Sequence, residues 1–68
     1  MIKRKDVVSS AIKSVEYDTN RNTLKIYMKD GSVPVYYGVP EKEYNSLIAA
    51  GSVGKYFNEN IRDSYLFS

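Results

Sequence analysis

Residues 23–37 read Thr23-Leu24-Lys25-Ile26-Tyr27-Met28-Lys29-Asp30-Gly31-Ser32-Val33-Pro34-Val35-Tyr36-Tyr37. Leu24, Ile26 and Met28 alternate with polar positions, the period of a strand buried on one face. Asp30-Gly31 is the residue pair favoured in two-residue type I′ hairpin loops, where both positions take positive φ. With that loop, Met28 faces Val33, Ile26 faces Val35 and Leu24 faces Tyr37, and every pair on this face is apolar. Upstream, Ser14-Val15-Glu16-Tyr17-Asp18 also alternates. A loop at residues 19–22 sets Tyr17 opposite Leu24 and Val15 opposite Ile26. Three strands thus agree on one buried face, and a one-residue slip would break the agreement. The other face is expected to carry Glu16 beside Lys25 and Tyr36, and Ser14 beside Tyr27 and Pro34. Pro34 cannot donate a ladder hydrogen bond, which makes the third strand, Ser32 to Tyr37, a sheet edge.

Beyond Pro40 the period changes to that of a helix. Glu41 and Glu43 suit a helix N-terminus, and Tyr44, Leu47 and Ile48 form one apolar stripe. Gly51 suits a helix stop. Ser52 reads as the N-cap of a second short helix, with Phe57 and Ile61 four apart on its inner side. Tyr65, Leu66 and Phe67 are expected to fold back onto the core. The fold class is α+β: a three-stranded antiparallel β-meander packed on one face by two short C-terminal helices. Residues 10–68 make the single domain, and residues 1–9, with Lys3, Arg4 and Lys5, are expected to be a loosely ordered basic arm.

Outward from this frame, composition narrows the chemistry. The 68 residues include no Cys and no His, which removes thiolate sites, disulfides, the commonest zinc ligand and the usual general base. A metal site, a cofactor and catalysis are therefore not expected. Ten Lys and Arg against eight Asp and Glu give a formal charge of +2, mildly basic. No run approaches the ~20 apolar residues of a membrane span, and no signal peptide opens the chain, so a cytoplasmic location is expected. Seven Tyr and no Trp stand out, since Tyr suits surfaces apolar on one side and wet on the other.

Two surfaces could recognise a ligand. Lys25, Tyr27 and Tyr36 on the exposed sheet face would pair rings for unstacked bases with cations for phosphates. Tyr is also simply a good strand former, and the same face could bury against a protein partner or a second copy. On the second helix, Lys55, Asn58 and Arg62 are spaced by three and four and so share a face. That face is either a phosphate contact or ordinary solvated surface.

These residues also carry a family likeness. Val15-Glu16-Tyr17-Asp18, Asp30-Gly31-Ser32, Tyr36-Tyr37-Gly38-Val39-Pro40 and Ser52-Val53-Gly54-Lys55-Tyr56-Phe57-Asn58, with Ile61-Arg62, resemble the KTSC domain over about residues 9–65. That family is named for a C-terminal extension of some lysyl-tRNA synthetases and includes small stand-alone bacterial and phage proteins. The resemblance implies RNA binding through its synthetase association. The family pattern has Tyr-x-Tyr in the third strand, whereas this chain has Pro34-Val35-Tyr36, leaving Tyr27 as the aromatic neighbour of Pro34. The expected function is a non-enzymatic module for RNA or single-stranded nucleic acid. The alternative is protein interaction or self-association through the same Tyr-rich face or the edge strand.

Overall fold

A computed structural model describes all residues, 1–68. Its sheet holds β1 (Ile2–Asp6), β2 (Ile12–Asp18), β3 (Thr23–Met28) and β4 (Val35–Tyr36) in sequential antiparallel order. Two helices follow, α1 (Glu41–Ala49) and α2 (Val53–Tyr56), the second running directly into a π-helical stretch, Phe57–Ile61. All of the helical structure packs on one face, so the α+β architecture stands as expected, with one strand more.

The extra strand is β1. Residues 1–9 are not a loose arm: Ile2–Asp6 pairs along its length with β2, from Ile2 opposite Asp18 to Asp6 opposite Ser14. Lys3 Nζ reaches Glu41 Oε2 of α1 at 2.6 Å, and the Arg4 guanidinium lies 4.8 Å over the Tyr27 ring. Of the five residues only Lys3 is even partly buried. The strand is held by backbone hydrogen bonds and side-chain tips rather than by an apolar face, so hydrophobic periodicity had nothing to register.

β2 and β3 pair in the expected register, Val15 opposite Ile26 and Tyr17 opposite Leu24. Their loop is residues 19–22. Asp18 Oδ1 accepts from the Asn20 N–H at 2.9 Å, and Asn22 takes the left-handed conformation at φ 54°. A bulge at Lys13 lets Ile12 face the core and Ser14 the opposite side, beside Tyr27.

The β3–β4 register is one residue away from the expectation. Leu24 lies opposite Tyr36 and Lys25 opposite Val35. Only Gly31 of the Asp-Gly pair takes positive φ, at 95°. Asp30 keeps negative φ because its Oδ1 accepts both the Ser32 N–H at 2.9 Å and the Ser32 hydroxyl at 2.6 Å. The Gly31 N–H donates to Met28 O at 3.1 Å and Met28 N–H to Ser32 O at 2.9 Å, closing a three-residue loop, Lys29 to Gly31. The odd residue reverses every side chain of β4. Tyr36 becomes core, 3% exposed, and Tyr37 turns outward, 45% exposed.

β4 is not an edge either. Val35 and Ser68 exchange both backbone hydrogen bonds at 3.0 Å, and the Tyr37 N–H donates to Leu66 O at 2.9 Å. The tail residues 66–68 thus add a short fifth row beside β4, with Phe67 opposite Tyr36. Leu66 and Phe67 nonetheless stay largely exposed, while Tyr65 is half-buried.

The core comprises Ile12, Val15, Tyr17, Leu24, Ile26 and Tyr36 from the sheet and Val39, Tyr44, Leu47, Val53, Phe57 and Ile61 from the helical side. Tyr17 and Tyr44 stack at 5.3 Å, fixing α1 on the sheet. α1 ends at Ala49 with an extended Ala50 rather than on a left-handed Gly51. Ser52 does cap α2, its Oγ accepting from the Lys55 N–H at 3.4 Å. No helix is long and apolar enough to cross a membrane.

Candidate functional site

Where β4, the π-helical stretch and the tail meet, a cleft of about 470 Å³ opens, lined by Met28, Ser32, Pro34, Tyr36, Phe57, Asn58, Arg62, Asp63 and Phe67. Its floor is apolar and aromatic. Tyr36 meets Phe57 edge-on at 5.6 Å and Phe67 at 5.3 Å with the planes tilted 31°. Phe67 leaves 62% of its surface open, a free ring face at the rim.

Local structure accounts for each wall. The three-residue hairpin loop directs Pro34 and Tyr36 to this side. The Arg62 N–H donates to Phe57 O at 2.9 Å, five residues back, and this wider turn brings Asn58 and Arg62 to the same cleft. The tail is anchored by the Tyr65 hydroxyl, which donates to Glu43 Oε1 at 3.3 Å, while the Tyr56 hydroxyl donates to Glu43 Oε2 at 2.7 Å. Beyond Tyr65 the backbone pairing with β4 sets Phe67 over Tyr36.

Burial raises the Tyr36 pKa above that of an ordinary phenol, and the nearby Arg62 charge pulls in the opposite direction. Arg62 is exposed and bound to no carboxylate within ion-pair distance, and Lys55 is likewise free; the ion pairs are Lys3–Glu41, Arg21–Asp18 and Lys25–Glu16. The rim therefore offers a free guanidinium and an amide above an aromatic floor. That arrangement can stack a flat ring, hydrogen-bond its edge and meet an attached anion.

The six residues singled out from the sequence do not form one site. Tyr36, Asn58 and Arg62 converge here, Tyr36 from the core side rather than the outer face. Lys55 lies on the far side of Asn58, in a separate, mostly polar depression with Ser9, Ser10, Gly51 and Ser52. The π-helical turn breaks the α spacing that would have aligned Lys55 with Arg62. Lys25 and Tyr27 sit on the opposite surface of the sheet, Lys25 3.9 Å from Glu16 and Tyr27 beneath Arg4. Phe67 and Arg4 were not anticipated. The apolar tail Tyr65-Leu66-Phe67, expected to fold back onto the core, was a signal for Phe67; Arg4 was read only as part of a basic arm. No group of three or more Asp or Glu side chains lies close enough to hold a metal ion.

Comparison with known proteins identifies the family and the fold. The KTSC domain model covers residues 8–65, so the chain belongs to the KTSC domain family. A crystal structure of a KTSC domain protein from Yersinia pestis superposes with a TM-score of 0.93 at 31% identity, covering 100% of this chain and 96% of that one. A Tsukamurella paurometabola protein is 32% identical over 59 residues, 87% of this chain and 88% of its own. A Stutzerimonas stutzeri protein is 31% identical over 58 residues, 85% and 82% of the two chains.

Proposed function

We propose that this KTSC domain is a non-enzymatic, cytoplasmic module of bacterial or phage origin that binds RNA or another single-stranded nucleic acid. The Tyr36–Phe67 cleft receives an unstacked base, Phe67 supplies the stacking face, and Asn58 addresses the base edge. Arg62 and, beyond Asn58, Lys55 meet the backbone phosphates. The observation that carries this reading is the convergence of Tyr36, Asn58 and Arg62 with the open Phe67 ring on one cleft. The family's association with a tRNA synthetase points the same way. Lys25 and Tyr27, on the other surface, have no part in it.

The test is fluorescence anisotropy with short labelled single-stranded RNAs at several salt concentrations. One stacked base is worth ~1–3 kcal/mol, so Phe67→Ala should weaken binding by about fivefold or more. Arg62→Ala should flatten the salt dependence by roughly 0.7 in log–log slope, the contribution of one single-strand phosphate contact. Wild-type protein that binds no RNA at low salt, or affinity indifferent to both substitutions, would refute the proposal.

A further inference from the structure

The helices cover one face of the sheet, and the other is open along its whole width. Register and alternation assign it Ile2, Arg4 and Asp6 from β1, then Ser14, Glu16 and Asp18 from β2. Thr23, Lys25 and Tyr27 follow from β3, and Val35 from β4. Tyr37, Leu66 and Ser68 complete it, the Tyr37 hydroxyl lying 2.7 Å from Ser68 Oγ. This face carries most of the exposed large apolar side chains: Ile2 is 55%, Val33 41%, Tyr37 45% and Leu66 82% exposed. Val33, Val35, Tyr37 and Leu66 run together as a strip along one side.

Most of the charged groups on this face already have partners. Lys25 pairs with Glu16 at 3.9 Å and Arg21 with Asp18 at 4.0 Å. Arg4 caps Tyr27 and donates to the buried Ser14 Oγ at 3.3 Å. Covering the face would leave Lys25, Glu16, Asp18 and Arg4 with the partners they already have, which lessens the usual penalty for burying charge, and only Asp6 would need a partner from the second copy. It also presents little net field to a polyanion, unlike the free cations near the cleft.

We infer that this face is the isologous interface of a homodimer, two copies packing sheet against sheet with the Val33–Val35–Tyr37–Leu66 strip of each buried in the contact. A standard interface takes roughly 800 Å² per partner, about a fifth of the chain's 4336 Å² surface. One broad side of a molecule measuring 29 × 23 × 22 Å is of that order. Both signs of charge on one patch make it complementary to itself after a two-fold rotation. A chain this short is marginal on its own core, and a second apolar layer would supply what disulfides and metals do not. The clefts would remain open on the outer sides of the dimer.

Sedimentation-velocity runs on nuclease-treated protein, over a range of concentrations and at low and high salt, test this directly. The expected result is a concentration-dependent dimer that persists at high salt. Tyr37→Lys with Leu66→Lys, both exposed and outside the core, should raise the dissociation constant at least ~30-fold while circular dichroism stays unchanged. Arg62→Ala should leave dimerisation unaltered, separating this interface from the nucleic-acid cleft. A wild-type monomer at every concentration would overturn the inference. So would a dimer indifferent to the double substitution.

Discussion

Phe67 lies against Tyr36 at 5.3 Å between ring centroids, one ring 62% exposed and the other 3%. The pair divides labour: Tyr36 is foundation and Phe67 is surface. Removing the foundation should cost far more stability than removing the surface. Tyr36→Ala should destabilise by ~3–5 kcal/mol, enough to unfold much of a small domain, and Phe67→Ala by ~0.5–1.5 kcal/mol. Urea denaturation checks the ratio, and equal costs would contradict the assigned roles.

The Tyr17 hydroxyl is 2.6 Å from Val39 O and 3.1 Å from Asn22 Oδ1, and its one proton serves the shorter contact better. Val39 N–H returns a bond to Asn22 O at 2.9 Å. The 19–22 loop and the junction before α1 are thereby locked together, with Gly38 turning the chain at φ 70°. Tyr17→Phe should lose ~1–3 kcal/mol, because a buried carbonyl is left without its donor. Chemical denaturation measures it; an unchanged midpoint would mean that Asn22 or solvent replaces the bond.

Asp30 holds Ser32 through two hydrogen bonds, and these depress its pKa below the ordinary 3.8. A depressed acid stabilises the fold above its unfolded pKa, and that contribution is lost as pH falls through the lower folded value. Asp30→Asn should therefore lower the urea midpoint near neutrality. The difference from wild type should close as the solution is acidified below pH 3.8. A gap constant with pH would show that the charge is irrelevant to the turn.

Tyr17, Tyr36 and Tyr44 all have pKa values raised chiefly by burial. Groups raised in the folded state contribute stability below the unfolded value of 10.0 that is lost as pH rises towards the folded values. Alkaline unfolding should thus begin above pH 10.0 and coincide with late tyrosinate absorbance. Early ionisation of all seven tyrosines without unfolding would contradict it.

A Cβ on Gly54 would stand 3.1 Å from Ser9 Oγ, which is held by the N–H groups of Ala11 at 3.2 Å and Ile12 at 3.3 Å. In an open helix, Gly→Ala gains up to ~1 kcal/mol. Here the gain should vanish in wild type and reappear in a Ser9→Ala background, a coupling of at least ~0.5 kcal/mol in a double-mutant cycle. Additive effects would show that the two segments are not in close contact.

The apolar alternation of Val15, Tyr17, Leu24 and Ile26, and the helical stripe of Tyr44 and Leu47, were legible because burial itself selects those residues. β1 was not legible: its pairing is made by backbone groups that every residue carries, and its side chains stay in water. Nor was the face of β4. Met28, Val33, Val35 and Tyr37 satisfy one register and Leu24 with Tyr36 the other, so apolarity alone could not choose. Asp30's bonds to Ser32 decided between a two- and a three-residue loop, and one residue in that loop moved Tyr36 from the outer face to the floor of the cleft. Asn58 and Arg62 were legible as polar neighbours, but only the π-helical turn and the returning tail brought them together with Tyr36 and Phe67. Local sequence determined β2, β3 and the helical segments, because periodicity and capping act over a few residues. The make-up of the site was decided by hydrogen bonds between segments far apart in the chain, which only the folded structure brings within reach.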